Sequence, residues 1–346
     1  VIEMMQLQAH RQNLILVSVA LIPLILFAGL SLGSAKISLH EALSCLIGDC
    51  LDQTTKNIVL DIRLPRILAA LISGAGLALS GTLLQSLFRN PLADAGILGI
   101  TSGASLGVAI LIMSGLSAGI SAYSHGFESI FAVALIGSIL TTIFVIAMIR
   151  FVANSTSLLL VGIMINWILG SMISVLGILA QYQNLQVFYT WTLGSFAGIT
   201  WNSLIYLYTV IPLAAISSYV IYKRLDAILL GESYAATMGI KIRSLRRLAI
   251  ILSSTLVAVI TATAGPVGFI GIAGPYLARL TVNSGSHKII IPLSLTYGAL
   301  LAACADIIAR TIMAPIDIPI SIITAMIGAP LIVSLLIKRK GEGLSH

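Results

Sequence analysis

Long unbroken apolar runs constrain this chain more than any other feature. One of them, "ILAALISGAGLALSGTLLQSLF", fills residues 67–88 without a single charge. A helix needs about 20 such residues to cross the hydrocarbon of a bilayer. Segments of this kind recur at roughly 13–33, 64–88, 96–116, 128–151, 156–180, 201–222, 245–265, 267–284, 289–309 and 318–337. They predict an all-α, polytopic membrane protein of about ten transmembrane helices. The strands of a membrane barrel would alternate apolar and polar residues, and these runs do not. Only 9% of residues are charged, against roughly 25% in a soluble domain. The whole chain, 1–346, reads as a single transmembrane unit. Its first apolar run, Leu14 to Leu30, has no clear small-residue cleavage site and reads as a retained span.

The eighth segment is the least regular. "GPVGFIGIAGPYLARL" carries Pro266 and Pro275 among four glycines. It predicts a broken helix or a re-entrant piece, tolerable only where protein buries it.

Charge fixes the orientation. The chain has 19 lysines and arginines and a net charge of +7. With the N-terminus in the cytoplasm, fourteen of them fall in inner connections and five in outer ones: Lys36, Lys56, Arg63, Arg66 and Arg310. This inward bias predicts cytoplasmic termini. The basic residues sit at span ends without interleaved aromatics, so nucleic acid is not an expected partner. Arg63, Arg66 and Arg310 depart from the bias. Either they snorkel at the interface, or they form a docking surface for carboxylates, using the bidentate geometry of guanidinium. Asp306 precedes Arg310 by one helical turn on the same face.

Small residues in the second span, Ala70, Gly74, Ala78, Gly76 and Ser80, recur at helical spacing and predict close helix packing. In the fifth span Gly162, Asn166, Gly170, Ser174, Gly177 and Gln181 form one small, polar stripe. It either packs on another helix or lines an aqueous path. The turn before it, "FVANSTS", includes Asn154, Ser155, Thr156 and Ser157 and lies where an inner gate would form. The basic-ended loop 223–247 contains "LDAILLGESYAATMGI", which predicts two short helices broken at Gly231. Leu229, Leu230 and Met238 give it an apolar face suited to a soluble partner or to the membrane surface.

Several motifs are absent from the sequence. There is no GxxxxGK[ST] to cradle ATP phosphates, no HExxH and no nucleophile elbow. No intramembrane charge stands ready to relay protons or bind sodium, which counts against an ion-coupled carrier and an intramembrane enzyme. The histidines lack metal-ligand spacing. Cys45 and Cys50 share one polar loop and either pair in an oxidising compartment or remain thiols.

"RLPR" at 63–66, "SGTLLQSLFRNPLADAGILGITSGA" at 80–104, "WTLGSFAGITW" at 191–201, "LGESYAATMGI" at 230–240, "GPVGFIGIAGPYLAR" at 265–279 and "GAPLIVSLLIKR" at 328–339 stand in order along the chain. With these motifs the chain resembles the FecCD family, the permease subunits of type II ATP-binding-cassette importers for iron–siderophores, haem and cobalamin. The likeness runs from about residue 14 to 340.

The resemblance implies a bacterial inner-membrane permease that forms the translocation pathway for an iron chelate. Haem, cobalamin or an oxyanion are alternative cargoes. It implies a second permease copy or paralogue, two ATPase subunits that carry the ATP and Mg, and an extracytoplasmic binding protein. No cofactor is expected in this chain. Arg63, Arg66 and Arg310 match the docking positions for that binding protein. Leu230, Gly231, Glu232, Ala235, Ala236, Met238 and Gly239 match the ATPase coupling helices. The fifth span matches the pathway-lining helix. Two departures, Pro275–Tyr276 in place of Pro-His and Asp317–Ile318–Pro319 in place of Glu-Leu-Pro, are expected to mark a substrate subgroup without touching the energetics.

Overall fold

A computed structural model describes residues 2–35, 37–50, 52–113, 126–152, 154–282 and 284–342, with side chains described between 13 and 333. Among the described residues the regular elements are all helical. In chain order they are α1 (Ile2–Ser31), α2 (Leu39–Ile47), α3 (Gln53–Asn57), a π turn (Ile58–Arg63), α4 (Leu64–Phe88), α5 (Ile100–Met113), α6 (Phe127–Met148) and α7 (Ser155–Leu179). Then follow α8 (Tyr182–Thr192), α9 (Trp201–Val220), α10 (Tyr222–Leu229), α11 (Glu232–Thr237), α12 (Ile242–Ala264), α13 (Ile270–Val282), α14 (His287–Thr311) and α15 (Ile320–Glu342).

Among the described residues, 7 helices are long and apolar enough to cross a membrane, and Ile100–Met113 and Ile320–Val333 are shorter apolar helices. The ten expected segments correspond to these together with α13. The bundle centres on α4. Pro65 stands in its first turn, where its missing N–H costs nothing, and Arg89 ends it in a left-handed conformation at φ 49°. Between those limits α4 is buried almost throughout and packs on α9, α12, α13 and α14. Its small residues allow this. A Cβ at Gly81 would overlap the carbonyl oxygen of Gly271 in α13, and one at Gly74 that of Gly298 in α14. The helices therefore meet backbone to backbone, as small residues permit in lipid. Ser80 and Ser253 add a hydroxyl pair between α4 and α12 at 2.6 Å.

The irregular eighth segment is a break followed by a short helix. Residues 265–268 are not helical, Gly265 and Phe269 take positive φ, and α13 begins at Ile270. Protein satisfies the freed carbonyls: Ser195 N–H donates to Ala264 at 2.8 Å and the Ser321 hydroxyl to Pro266 at 2.7 Å. Cys45 and Cys50 form a disulfide at the end of α2.

Candidate functional site

Two buried polar clusters lie at opposite ends of α4. Arg66 stands in its first turn, whereas Ser86 in its last turn meets His287 of α14.

At the Arg66 end the structure brings Arg63, Arg66 and Arg310 together, and it buries all three to 4–7% exposure. Arg63 donates to the carbonyls of Leu30 at 2.6 Å, Ser31 at 2.8 Å and Ala35 at 2.5 Å, so it caps the end of α1. Arg66 donates through Nε to Asp306 at 2.8 Å and through Nη1 to Asp317 at 2.7 Å. Asp306, four residues before Arg310, is engaged more closely by Arg66, since Arg310 Nε lies 3.5 Å from it. Gly29 of α1 and Gly33 just beyond it leave room for the Arg310 and Arg63 guanidiniums. A carboxylate arriving from outside would have to join or displace Asp317, whose side chain is 42% exposed. Asp317, the acid of the Asp-Ile-Pro departure, is the carboxylate that Arg66 reaches through Nη1.

Midway along the bundle lies a cavity of about 390 Å³. Asp94, Thr101, Ser102, Asn166, Phe269 and Ser321 line it. Asn166 accepts a hydrogen bond from the Ser102 hydroxyl. Asp94 accepts from the backbone N–H of Gly96 at 2.7 Å. Sequence reasoning missed Asp94 because it stands in a turn between two spans; the turn folds back against the bundle. It puts one ionisable side chain at the cavity. Along α7 the predicted stripe divides. Gly162 is buried against Ile97 and Leu98, Asn166 borders the cavity, Gly170 has open space, Gly177 lies near Leu185, and Ser174 is exposed. A second cavity of about 690 Å³ lies between α6, α8 and the end of α12, lined by Gln183, Gln186, Thr190, Trp191 and Thr263 among others.

At the Ser86 end, α10 and α11 form the predicted helix pair broken at Gly231, whose φ is 127°. Leu230, Tyr234 and Met238 project as an exposed apolar row, Ala236 and Gly239 are exposed, and Ala235 is buried. A cleft of about 410 Å³ beside α11 carries Arg224 and Lys241. Beneath that surface sit two carboxylates. Asp226 accepts from His287 Nδ1 at 2.6 Å and from the His287 backbone N–H at 2.7 Å. Glu232 accepts from the Ser155 hydroxyl and from Arg246, each at 2.5 Å. Burial disfavours ionisation of Glu232, but the hydrogen bonds from Arg246 and Ser155 and the nearby charge of Arg89 outweigh it and hold its carboxyl below the usual range. Asp226 is likewise lowered, with burial opposed by its bonds from His287 and Ser286. Of the predicted gate residues, Asn154 caps α7 by accepting from Ser157 N–H at 2.8 Å, Thr156 is exposed, and Ser155 is buried. Ala153 of that turn lies outside the described residues.

Comparison with known proteins fits this arrangement. The model of the FecCD transport family matches residues 20–338. This chain belongs to the FecCD transport family. It is 34% identical over 92% of its length to the hemin transport system permease HmuU of Yersinia pestis, covering 95% of that protein. It is 36% identical over 86% of its length to the molybdate import permease MolB of Haemophilus influenzae, covering 86% of that protein. A solved structure described as an inward-facing conformation of a metal-chelate type ABC transporter superposes with a TM-score of 0.83 at 30% identity, over 94% of this chain and 99% of the other. The FecCD chain is thus a polytopic membrane permease subunit of an ABC importer, which sets aside the ion-coupled carrier.

Proposed function

We propose that this FecCD permease carries an iron chelate of the siderophore class across the bacterial cytoplasmic membrane. The likeness to the metal-chelate type transporter, over 94% of the chain, carries this reading. In it, α7 faces a second permease copy across the pathway. Its large apolar residues Met164, Trp167, Ile168 and Met172 are 48–71% exposed, as such an interface requires. The central cavity, which Asn166 of α7 borders, lies on the route, and so does the one between α6, α8 and α12. The lining is mostly apolar with a few scattered polar groups, which suits a bulky cargo that must also leave. The exposed row of Leu230, Tyr234 and Met238 docks one of two ATPase subunits, which bind ATP and Mg. The arginine end, with Arg63, Arg66 and Arg310, receives glutamates from the lobes of an extracytoplasmic binding protein. Both termini then lie in the cytoplasm.

The molybdate relative favours a second reading, an oxyanion cargo. Uptake into vesicles holding the permease, its ATPase and its binding protein separates the two. Labelled ferric siderophore, hemin, cobalamin and molybdate are offered in turn. Accumulation of the ferric siderophore above the others is expected. Preference for molybdate would replace the first reading with the second.

A further inference from the structure

The residues assigned separately to ATPase coupling and to the inner gate are joined by a direct bond. Glu232, the first residue of α11, uses its two oxygens on two different elements. Oε1 accepts from Ser155 in the first turn of α7, and Oε2 accepts from Arg246 of α12. We propose that Glu232 is the positioning residue through which displacement of α11 reaches α7, with Asp226 as the fixed end of the same lever. This rests on the transport reading above.

The two ends of the lever are held very differently. Asp226, on α10, is tied to Ser286 and His287 at the start of α14. His287 is 1% exposed and continues the chain of bonds to Ser86 of α4. The α4–α14 contact is the backbone-to-backbone seam at Gly74 and Gly298, so α10 is anchored in the part of the bundle least able to give. By contrast, α7 is mostly exposed and packs chiefly on α5. Gly231 lies between α10 and α11 in a conformation that side chains rarely adopt, with open space around it. It can turn without a side-chain clash. A push on the exposed row of Leu230, Tyr234 and Met238 therefore finds α10 fixed, a glycine joint, and one short charge-assisted bond to the mostly exposed α7. Such bonds are roughly twice as strong as neutral ones. A rigid helix then moves Asn166, about 16 Å along α7 from Ser155, with its first turn. Asn166 borders the central cavity.

Arg246 is 4% exposed, and its Nε has no hydrogen-bond partner in the structure. Removing Glu232 would strand that buried charge, so the cleaner probe is Ser155→Ala. It cuts the link to α7 and leaves the Glu232–Arg246 pair intact. The experiment uses the reconstituted complex of permease, ATPase and binding protein. Two readouts are taken: cargo moved per ATP hydrolysed, and the nucleotide-dependent change in mobility of a nitroxide on S171C, an exposed site on α7. Ser155→Ala is expected to lower both by about tenfold, the scale of a lost hydrogen bond to a charged group, with ATPase binding unchanged. Ser155→Thr, which keeps the hydroxyl, restores them. An undiminished nitroxide response in Ser155→Ala, or a loss explained wholly by weaker ATPase binding, would overturn the link. A wild-type complex that moves no cargo yet shows the nitroxide change would sink the transport reading and leave the link standing.

Discussion

Arg66 of α4 and Asp306 of α14 form an ion pair at 2.8 Å, with side chains 8% and 2% exposed. Asp306 is also the nearest carboxylate to Arg310, whose Nε and Nη2 make no hydrogen bond. Asp306 is thus the buried acid set between two buried guanidiniums, with the half-exposed Asp317 as a second partner for Arg66. Breaking a buried pair by removing one partner costs about 3–5 kcal/mol, because a charge is left uncompensated. Asp306→Ala is expected to lower stability by that amount in detergent, and Asp306→Asn by less, since the amide oxygen still accepts from Arg66. Thermal unfolding followed by tryptophan fluorescence measures both. Equal melting of Asp306→Ala and wild type would mean that solvent reaches the cluster.

Two glycines test the packing of the bundle. A methyl at Gly81 would collide with the backbone of Gly271, which no rotamer change relieves. Gly81→Ala is expected to lose at least the roughly 1–3 kcal/mol of an overpacked core, in spite of alanine's higher helix propensity. At Gly170 nothing lies within 4 Å of the added carbon. Gly170→Ala should therefore keep most of the propensity gain of about 1 kcal/mol. Thermal melts of the two variants side by side decide the matter, and similar losses at both sites would contradict the seam at Gly271.

Much of this architecture is legible in the sequence because lipid imposes a one-dimensional rule. Apolar length alone marks the spans, and the small-residue spacing of Gly74 and Ala78 marks α4 as a helix that others approach closely. The break before α13 is legible from Pro266 and its glycines. What stays hidden depends on partners far apart in the chain. Arg63 caps carbonyls some thirty residues earlier, Arg66 pairs with Asp317, and Glu232 reaches Ser155. No local pattern encodes those distances. Asp94 escaped notice for a related reason: membership of a span was judged by hydropathy, while its turn folds back beside Asn166.

The disulfide gives a test of sidedness. Disulfides persist in oxidising compartments, so the Cys45–Cys50 end should face outward, together with the arginine cluster. After mild reduction, a membrane-impermeant maleimide added to right-side-out vesicles is expected to label Cys50. Cys304, partly buried in α14, serves as the internal comparison and should react only after detergent is added. Labelling of Cys50 solely in inverted vesicles would reverse the proposed orientation, and with it the assignment of the α11 surface to a cytoplasmic ATPase.

Glu232 gives the pH dependence. Its carboxyl is held below the ordinary glutamate range in the folded chain, with burial opposing the shift and Arg246, Ser155 and Arg89 prevailing. A group lowered on folding stabilises the native state at all pH above its unfolded value, about 4.3. That contribution disappears as pH falls through the lower folded value. The stability gap between wild type and Glu232→Gln should therefore be flat from neutral pH down to about 5, then close under more acid conditions. Melting curves of both proteins across that range measure the gap. A gap that closes already near neutral pH would mean that burial outweighs Arg246, and that the carboxyl holding Ser155 is protonated when the transporter works.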